Sequence, residues 1–392
     1  MIQEQGFDAD IDRTGTSSQK WDKYKGRDII PMWVADSDFM SPEPVKKALI
    51  ERIEHGIFGY TNTPDELNSL FIDRMARLYN WQVSEEELIW LPGLVTGLHL
   101  ACRASKPNSD ESISVATPTP IYPPFKSAPA LSGCRVLALP MTEIAGRWVI
   151  DLNALEEVAG EIELLLFCNP HNPGGTVYRE DELKRLGELA IQYDFLICSD
   201  EIHCDLLLEP AAKHIPLASI SPEIAARTIT LMAPSKTWNI AGLGCSVAII
   251  QNQDIRQRFQ QIRKGIVPDV NLLGYTAAIA AYRDGDEWNQ QQSQYLKANR
   301  DLALERINKM PGLTLNAFEA TYLAWIDCSR ANLEDPLAFF EQAGVGLSPG
   351  RDFGDPHFVR MNLGCTRATL TAALDRMERA LNNAQTQKGS PL

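Results

Sequence analysis

The chain has 392 residues, 44% hydrophobic and 22% charged, an ordinary globular balance with room for two domains and a large core. Its formal net charge of -14 disfavours nucleic acid or an anionic membrane as partner, and no apolar run approaches a membrane span. The eight cysteines form no C-x-x-C pair and several lie in apolar runs, which predicts reduced thiols and a cytoplasmic protein. No metal site is expected, since Cys198, His203 and Cys204 match no standard zinc spacing. Met1 to Gln5 show neither the basic start nor the apolar core of a secretory signal.

In chain order, Pro92-Gly93-Leu94-Val95-Thr96-Gly97 precedes the helical stretch Leu98 to Cys102. The backbone at Gly93, Leu94 and Val95 suits a phosphate at a helix N-terminus; the ordinary alternative is a Gly-containing helix entry. Ser112 to Ala116 reads as a strand, and Tyr122 follows in Pro118-Thr119-Pro120-Ile121-Tyr122-Pro123. Its ring either stacks on a flat heterocycle or is a core aromatic. The apolar run Glu163 to Cys168 leads into Asn169-Pro170-His171-Asn172-Pro173-Gly174-Gly175. A helical pattern covers Asp181 to Gln192, and the run Phe195 to Cys198 leads into Ser199-Asp200-Glu201-Ile202-His203. Thr228 to Met232 then precedes Ser235-Lys236-Thr237-Trp238-Asn239 and Ile240-Ala241-Gly242-Leu243-Gly244. Each polar cluster sits just beyond a short buried strand, where ligands of open α/β sheets gather.

These three clusters suggest three roles at one cofactor. A lysine in a tight loop can form a Schiff base with an aldehyde once its neighbours lower its pKa. An asparagine amide can donate to a ring oxygen, and a carboxylate can pair with a pyridinium nitrogen. The combination points to pyridoxal 5'-phosphate. Asp200 is the candidate for the pyridinium, since the adjacent Glu201 points the other way; a strand-end cap is its bland alternative. Asn172 and Asn169 compete for the ring oxygen, with Asn169 lining the substrate side or only stabilising the turn. Ser235 adds a hydroxyl for the phosphate. Arg360 lies in an otherwise apolar strand and needs a charged partner, either a substrate carboxylate bound bidentately or a structural acid.

Apolar runs alternate with helical patterns between about residues 85 and 250, with Ser246 to Ile250 as the last strand, which predicts a mostly parallel sheet covered by helices. Residues 286 to 309 read as one amphipathic helix carrying Trp288, Tyr295, Leu302 and Ile307. Thr321 to Ile326 and His357 to Leu363 are strand candidates, a closing helix starts near Ala368, and the polar tail Ala384 to Ser390 is expected to fray. The pattern is α/β, with a smaller α+β domain built from both chain ends.

The order of these motifs resembles the fold-type I, class I/II aminotransferase superfamily over nearly the whole chain. Within it, Pro31-Met32-Trp33-Val34-Ala35-Asp36-Ser37-Asp38-Phe39 resembles the signature of the MalY/PatB-like cystathionine β-lyase branch, with Ser37 where methionine is usual. The resemblance implies a large cofactor-binding domain (residues 48–285) with a mostly parallel seven-stranded sheet between helices, and a small discontinuous domain (1–47 and 286–392). It implies that Lys236 binds pyridoxal phosphate and removes the substrate Cα proton, with Asn172 as the direct cofactor ligand. It also implies that Tyr122 stacks on the ring, that Arg360 binds the α-carboxylate with Val34 and Ala35 closing that pocket, and that Tyr60 reaches the partner's phosphate across a homodimer. His203 fits the Asp-Glu-x-His form of the branch and either supports the cofactor oxygen or is structural. Three departures from the wider family stand out: Gly174 where threonine is common, Ala233 where serine is, and Gly244 where a phosphate-binding arginine is usual. The implied activity is cleavage of L-cystathionine or related cysteine S-conjugates to thiol, pyruvate and ammonia. An aminotransferase of amino acids uses the same residues and is the alternative; a regulatory protein retaining the fold is a third.

Overall fold

A computed structural model describes residues 6–106 and 112–388 of the protein. Met1 to Gln5 and the last residues of the polar tail, 389 and 390, lie outside the described residues. The closing helix Arg367–Lys388 carries the first part of that tail, where fraying was expected.

The largest element is an eight-stranded sheet. Its order is Leu88–Leu91, Ser246–Ile250, Thr228–Met232, Leu196–Asp200, Leu164–Cys168, Ser114–Thr119, Arg135–Ile144, Arg147–Ile150. The four joins between Thr228–Met232 and Arg135–Ile144 are parallel, and the joins outside them are antiparallel. Seven strands were expected. The eighth, Arg147–Ile150, is an edge strand folded back through a turn whose residues Ala145 and Gly146 both have positive φ. Leu164–Cys168, Thr228–Met232 and Ser246–Ile250 are buried at every position, as strands covered on both faces must be.

The ladder continues through polar residues, because backbone hydrogen bonds do not depend on side-chain polarity. Cys168 thus pairs with Asp200, and Asp200 with Leu231, so Asp200 closes its strand instead of following it. The loops after Cys168, Asp200 and Met232 leave from the same edge of the sheet and carry the three polar clusters.

A second, four-stranded antiparallel sheet has the order Thr314–Leu315, Leu323–Asp327, Phe358–Asn362, Ser348–Pro349. Its core joins Leu323, Ile326 and Met361 to Ile307 of helix Asp286–Ile307 and to Leu370 of the closing helix. Met32, Ala35 and Phe39 enter the same core, so both chain ends share it. Helix Glu43–His55 straddles the expected division at 47/48. Its Val45 packs with Phe71, Trp238 and Tyr275 beneath the large sheet, so the helix goes with that sheet.

Two asparagines lock the segment 34–39 in place. Asn239, just after Lys236, has φ 55; its Nδ2 donates to the carbonyls of Ser37 (3.1 Å) and Phe39 (2.7 Å), and its Oδ1 accepts from Ser37 N (3.2 Å). Asn362 Nδ2 donates to the carbonyls of Val34 (2.5 Å) and Asp36 (2.7 Å). Asn239→Gly keeps the left-handed backbone and loses the amide, which should cost roughly 1–3 kcal/mol. Asn239→Ala also forces a Cβ into that conformation and should lose about 1 kcal/mol more. Urea unfolding of the two variants beside wild type measures both steps; equal midpoints for Gly and Ala would show that the positive φ carries no cost.

Candidate active site

A cavity of about 520 Å³ opens where the loops after Asp200 and Met232 meet the N-terminus of helix Leu94–Ala104 and the segment 33–35. Lys236, Asp200, Asn172, His203, Tyr122, Ser235, Gly93, Leu94, Val95, Val34, Ala35 and Arg360 all line it. Twelve positions read from the sequence thus converge, although they span residues 34 to 360.

Lys236 Nζ donates to the Ala35 carbonyl at 2.6 Å. Burial, and then the nearby Arg360 cation, lower its pKa to about 8, against an opposing pull from Asp36 and Asp200. A substantial neutral fraction near physiological pH is what a nucleophilic or proton-abstracting amine requires. The Asp200 carboxylate is 4% exposed, and its Oδ1 accepts from Ile202 N at 3.1 Å. Burial raises it to about 7, so in this cavity it asks for a cationic partner. Asn172 Oδ1 accepts from Arg360, leaving its amide nitrogen uncommitted. His203 is buried with Nδ1 unpartnered, and burial followed by the Lys236 and Arg360 charges lowers it to about 3, so the ring is neutral. Its edge meets Tyr322, whose hydroxyl donates to the same Ala35 carbonyl at 3.2 Å.

Gly93 caps helix Leu94–Ala104 with extended backbone (φ 172). The first N–H groups of that helix have no partner within it, and the cap has no side-chain bond to offer them. Gly244 also lines this end, with φ 59, and a Cβ there would lie 2.7 Å from the Pro92 carbonyl oxygen. The backbone therefore excludes the expected arginine, and backbone N–H groups with Ser235 are left to meet a phosphate. Gly174 has a similar cause. A Cβ there would come 2.8 Å from His171 Nδ1, which already accepts from Gly174 N at 3.2 Å.

Arg360 is 3% exposed and has no carboxylate partner among the described residues. Nη1 donates to Asn172 Oδ1 (3.0 Å), and Nη2 to the Trp33 carbonyl (3.0 Å) and Ser348 Oγ (3.3 Å). Nε has no partner, and the guanidinium lies 4.6 Å from the centre of the Phe353 ring. Burial lowers its pKa to about 10. An incoming carboxylate would supply the missing charge.

Asn169 does not line the cavity, and Tyr60 was expected at a partner's site, not in its own chain's cavity. Asn169 is fully buried and spends its amide on the turn: Oδ1 accepts from Tyr178 N (3.1 Å) and Nδ2 donates to the Ile215 carbonyl (3.4 Å). The substrate-lining role for it is corrected to a structural one. Tyr60 is fully exposed and lines no part of the cavity of its own chain. Glu201 points away from the cavity to Ser199 Oγ, Leu217 N and His214 Nε2, as its alternation with Asp200 implies. Sequence reasoning missed Tyr322 and the clamp Asn239, although Asn239 stands within the lysine motif. It also missed the outer liners Gln19, Lys23 and Asp352, which belong to no motif.

The donor set suits pyridoxal phosphate: an uncommitted amide, a buried carboxylate in want of a cation, an amine held ready, and open N–H groups at a helix start. No group of three or more His, Cys, Asp or Glu among the described residues is placed to hold a metal ion. No helix among them is long and apolar enough to cross a membrane.

The sequence profile described as aminotransferase class I and II matches residues 27–377. The cystathionine beta-lyase PatB of Bacillus subtilis (strain 168) is 36% identical, over 96% of this chain and 100% of the relative. A crystal structure of OvoB superposes with a TM-score of 0.93 at 49% identity, covering 96% of this chain and 99% of that one. Cystalysin from Treponema denticola, whose crystal structure contains pyridoxal 5'-phosphate, superposes with a TM-score of 0.92 at 30% identity, covering 96% and 99%.

In cofactor-free protein, Asp200 titrates near 7 when folded and near its ordinary 3.8 when unfolded. The folded state therefore holds a proton that the unfolded chain releases. The resulting stabilisation is complete below the unfolded value and is lost as pH rises through about 7. Asp200→Asn should flatten that decline in unfolding free energy, measured in urea across the acid-to-neutral range. An unchanged slope would assign the titration to another group.

Proposed function

The chain belongs to the class I and II aminotransferase family, and from that membership we propose that it is a pyridoxal 5'-phosphate-dependent carbon–sulfur β-lyase. Its substrates are L-cystathionine or related cysteine S-conjugates, and its products are a thiol, pyruvate and ammonia. The observation that carries the cofactor chemistry is the meeting, in one cavity, of an amine with lowered pKa, a buried carboxylate and a guanidinium that lacks an acid partner. The choice of elimination is supported by the likeness to PatB over the whole of that relative's length.

Pyridoxal phosphate, when bound, supplies an aldehyde that condenses with amines and a ring that accepts the electron pair left at Cα. Backbone N–H groups at Gly93, Leu94 and Val95, with the Ser235 hydroxyl, would hold its phosphate. The Asp200 carboxylate would pair with the ring nitrogen, and the positive charge held there would return the carboxylate to its ionised form. Asn172 would donate its free amide to the ring oxygen, with His203 supporting that contact and Tyr122 packing against the ring. Arg360 grips the substrate carboxylate, with Trp33, Val34 and Ala35 closing that wall. Lys236, hung on the Ala35 carbonyl, then removes the Cα proton. The Cβ–S bond breaks, the sulfur leaves as a thiol after taking a proton, and the released aminoacrylate adds water to give pyruvate and ammonia.

The same reading assigns the large sheet and its helices, Glu43–His55 among them, to cofactor binding and both chain ends to the smaller part that brings Arg360. It makes the enzyme a cytoplasmic homodimer of amino-acid metabolism, with Tyr60 completing the neighbouring site. The exposure of Ile53, Ile57, Phe58 and Tyr60 on one stretch supports a covered surface there.

Borohydride reduction of cofactor-loaded protein followed by peptide mapping should place the label on Lys236. A label on another lysine would sink that assignment. With L-cystathionine and no oxoacid, pyruvate and homocysteine should form in equal amounts over many turnovers. A single half-turnover that restarts only on adding an oxoacid would make the protein an aminotransferase. Arg360→Met should lower kcat/KM by roughly 30-fold or more, the scale for losing a charged hydrogen-bonded contact.

A further inference from the structure

The inner wall of the cavity is accounted for by Lys236, Asp200, Asn172, His203 and Arg360. The outer wall is not. It is formed by Gln19, Lys23, Trp33, Leu337, Pro349 and Asp352, of which only Lys23 and Asp352 carry charge. Both come from outside the large sheet: Lys23 caps the short helix Gln19–Asp22, and Asp352 lies in the helix Gly350–Phe353.

The Lys23 ammonium lies 4.8 Å from the centres of both the Tyr24 and Trp33 rings. Its one acid partner, Glu341, is 3.6 Å away, beyond hydrogen-bond range, and already accepts from the Tyr24 hydroxyl at 2.6 Å. The ammonium is thus positioned by aromatic faces and a loose ion pair, with no hydrogen bond of its own among the described residues. The Asp352 carboxylate has no hydrogen bond or ion pair among the described residues; the neighbouring Lys126 Nζ is held by its backbone carbonyl at 2.5 Å. A cation and a carboxylate without a hydrogen bond among the described residues therefore line the same cavity, with Trp33, Leu337 and Pro349 supplying apolar surface.

We propose that Lys23 and Asp352 select sulfur conjugates whose leaving thiol carries its own ammonium and carboxylate. The inference rests on the β-lyase reading and names the substrate class within it. A plain alkyl thiol brings no charge to either group, leaving Lys23 with its distant Glu341 and the Asp352 carboxylate without a hydrogen bond. A thiol with one charge answers one and repels the other. A zwitterionic head group pairs its carboxylate with Lys23 and its ammonium with Asp352, while its methylenes pack on the apolar surface.

The test uses cofactor-loaded protein and four conjugates: L-cystathionine and the S-carboxypropyl, S-aminopropyl and S-propyl derivatives of L-cysteine. These carry both distal charges, the anion alone, the cation alone and neither. Pyruvate release gives kcat/KM for each. Wild type should prefer L-cystathionine to the S-propyl compound by roughly tenfold or more, the scale of one charged hydrogen bond. Lys23→Gln should lower the S-carboxypropyl to S-propyl ratio, Lys23→Arg should restore it, and Asp352→Asn should lower the S-aminopropyl to S-propyl ratio. Equal kcat/KM for all four conjugates overturns the selection while leaving the lyase standing, as does a substitution that moves both ratios alike. No pyruvate from any of them overturns the lyase reading itself, and this inference with it.

Discussion

A guanidinium buried without an acid partner is the constraint on which the rest of the structure depends. Removing a cation from water costs several kcal/mol unless charge or hydrogen bonds replace the lost hydration. Arg360 receives only neutral compensation: the Trp33 carbonyl, Ser348 Oγ, Asn172 Oδ1 and the face of Phe353. Those groups come from three stretches far apart in sequence, around Trp33, Asn172 and Ser348 to Phe353, so the cation can be housed only when the whole chain is folded around it. On the proposed reading, the substrate carboxylate is the anion that this seat lacks. Any carboxylate that binds there stabilises the folded state by mass action as well as being held for reaction.

The segment 32–39 measures the distance between that cation and the amine. The Met32 carbonyl accepts at 2.9 Å from the backbone N of Asn362, two residues beyond Arg360, while Asn239 holds Ser37 and Phe39 from the lysine loop. The Ala35 carbonyl between them accepts from both Lys236 and Tyr322. A charged knot then anchors the same segment from outside. Fully buried Lys20 bonds Asp38 at 2.7 Å, and Arg13 reaches Asp36 at 2.9 Å and Asp38 at 2.7 Å. The reacting geometry is set by one extended stretch gripped from both sheets, so errors in either sheet are not simply added together.

That arrangement explains which parts could be read from residues alone. Lys236, Asp200 and Asn172 follow short apolar strands, and a polar residue at such a boundary is conspicuous. Arg360 is conspicuous for the opposite reason, a charge inside an apolar strand. Asn362, two residues on, looks like an ordinary strand end, and its clamp on Val34 and Asp36 depends on a contact spanning more than 300 positions. Lys23 and Asp352 have the composition of any solvated surface, and only the fold gives them a shared wall. Asn169 misled because Asn-Pro serves turns and ligands equally well; its amide went to Tyr178 and Ile215. The eighth strand escaped notice because Arg147–Ile150 is four residues long and lies at the edge, where the buried-run signal is weakest.

Burial acts with opposite sign on the two groups that must work together. It drives Lys236 down to about 8 and Asp200 up to about 7, so each is pushed towards its neutral form by the same loss of water. Neutrality suits the amine, which must take a proton, but not the carboxylate, which must hold one on its partner. A ring cation next to Asp200 would resolve the conflict: it would pull the carboxylate back to its charged form and, as a further positive charge, help keep the lysine deprotonated. The desolvated pocket thus disfavours charge until the partner with the matching charge arrives, and then strengthens the pair it has formed.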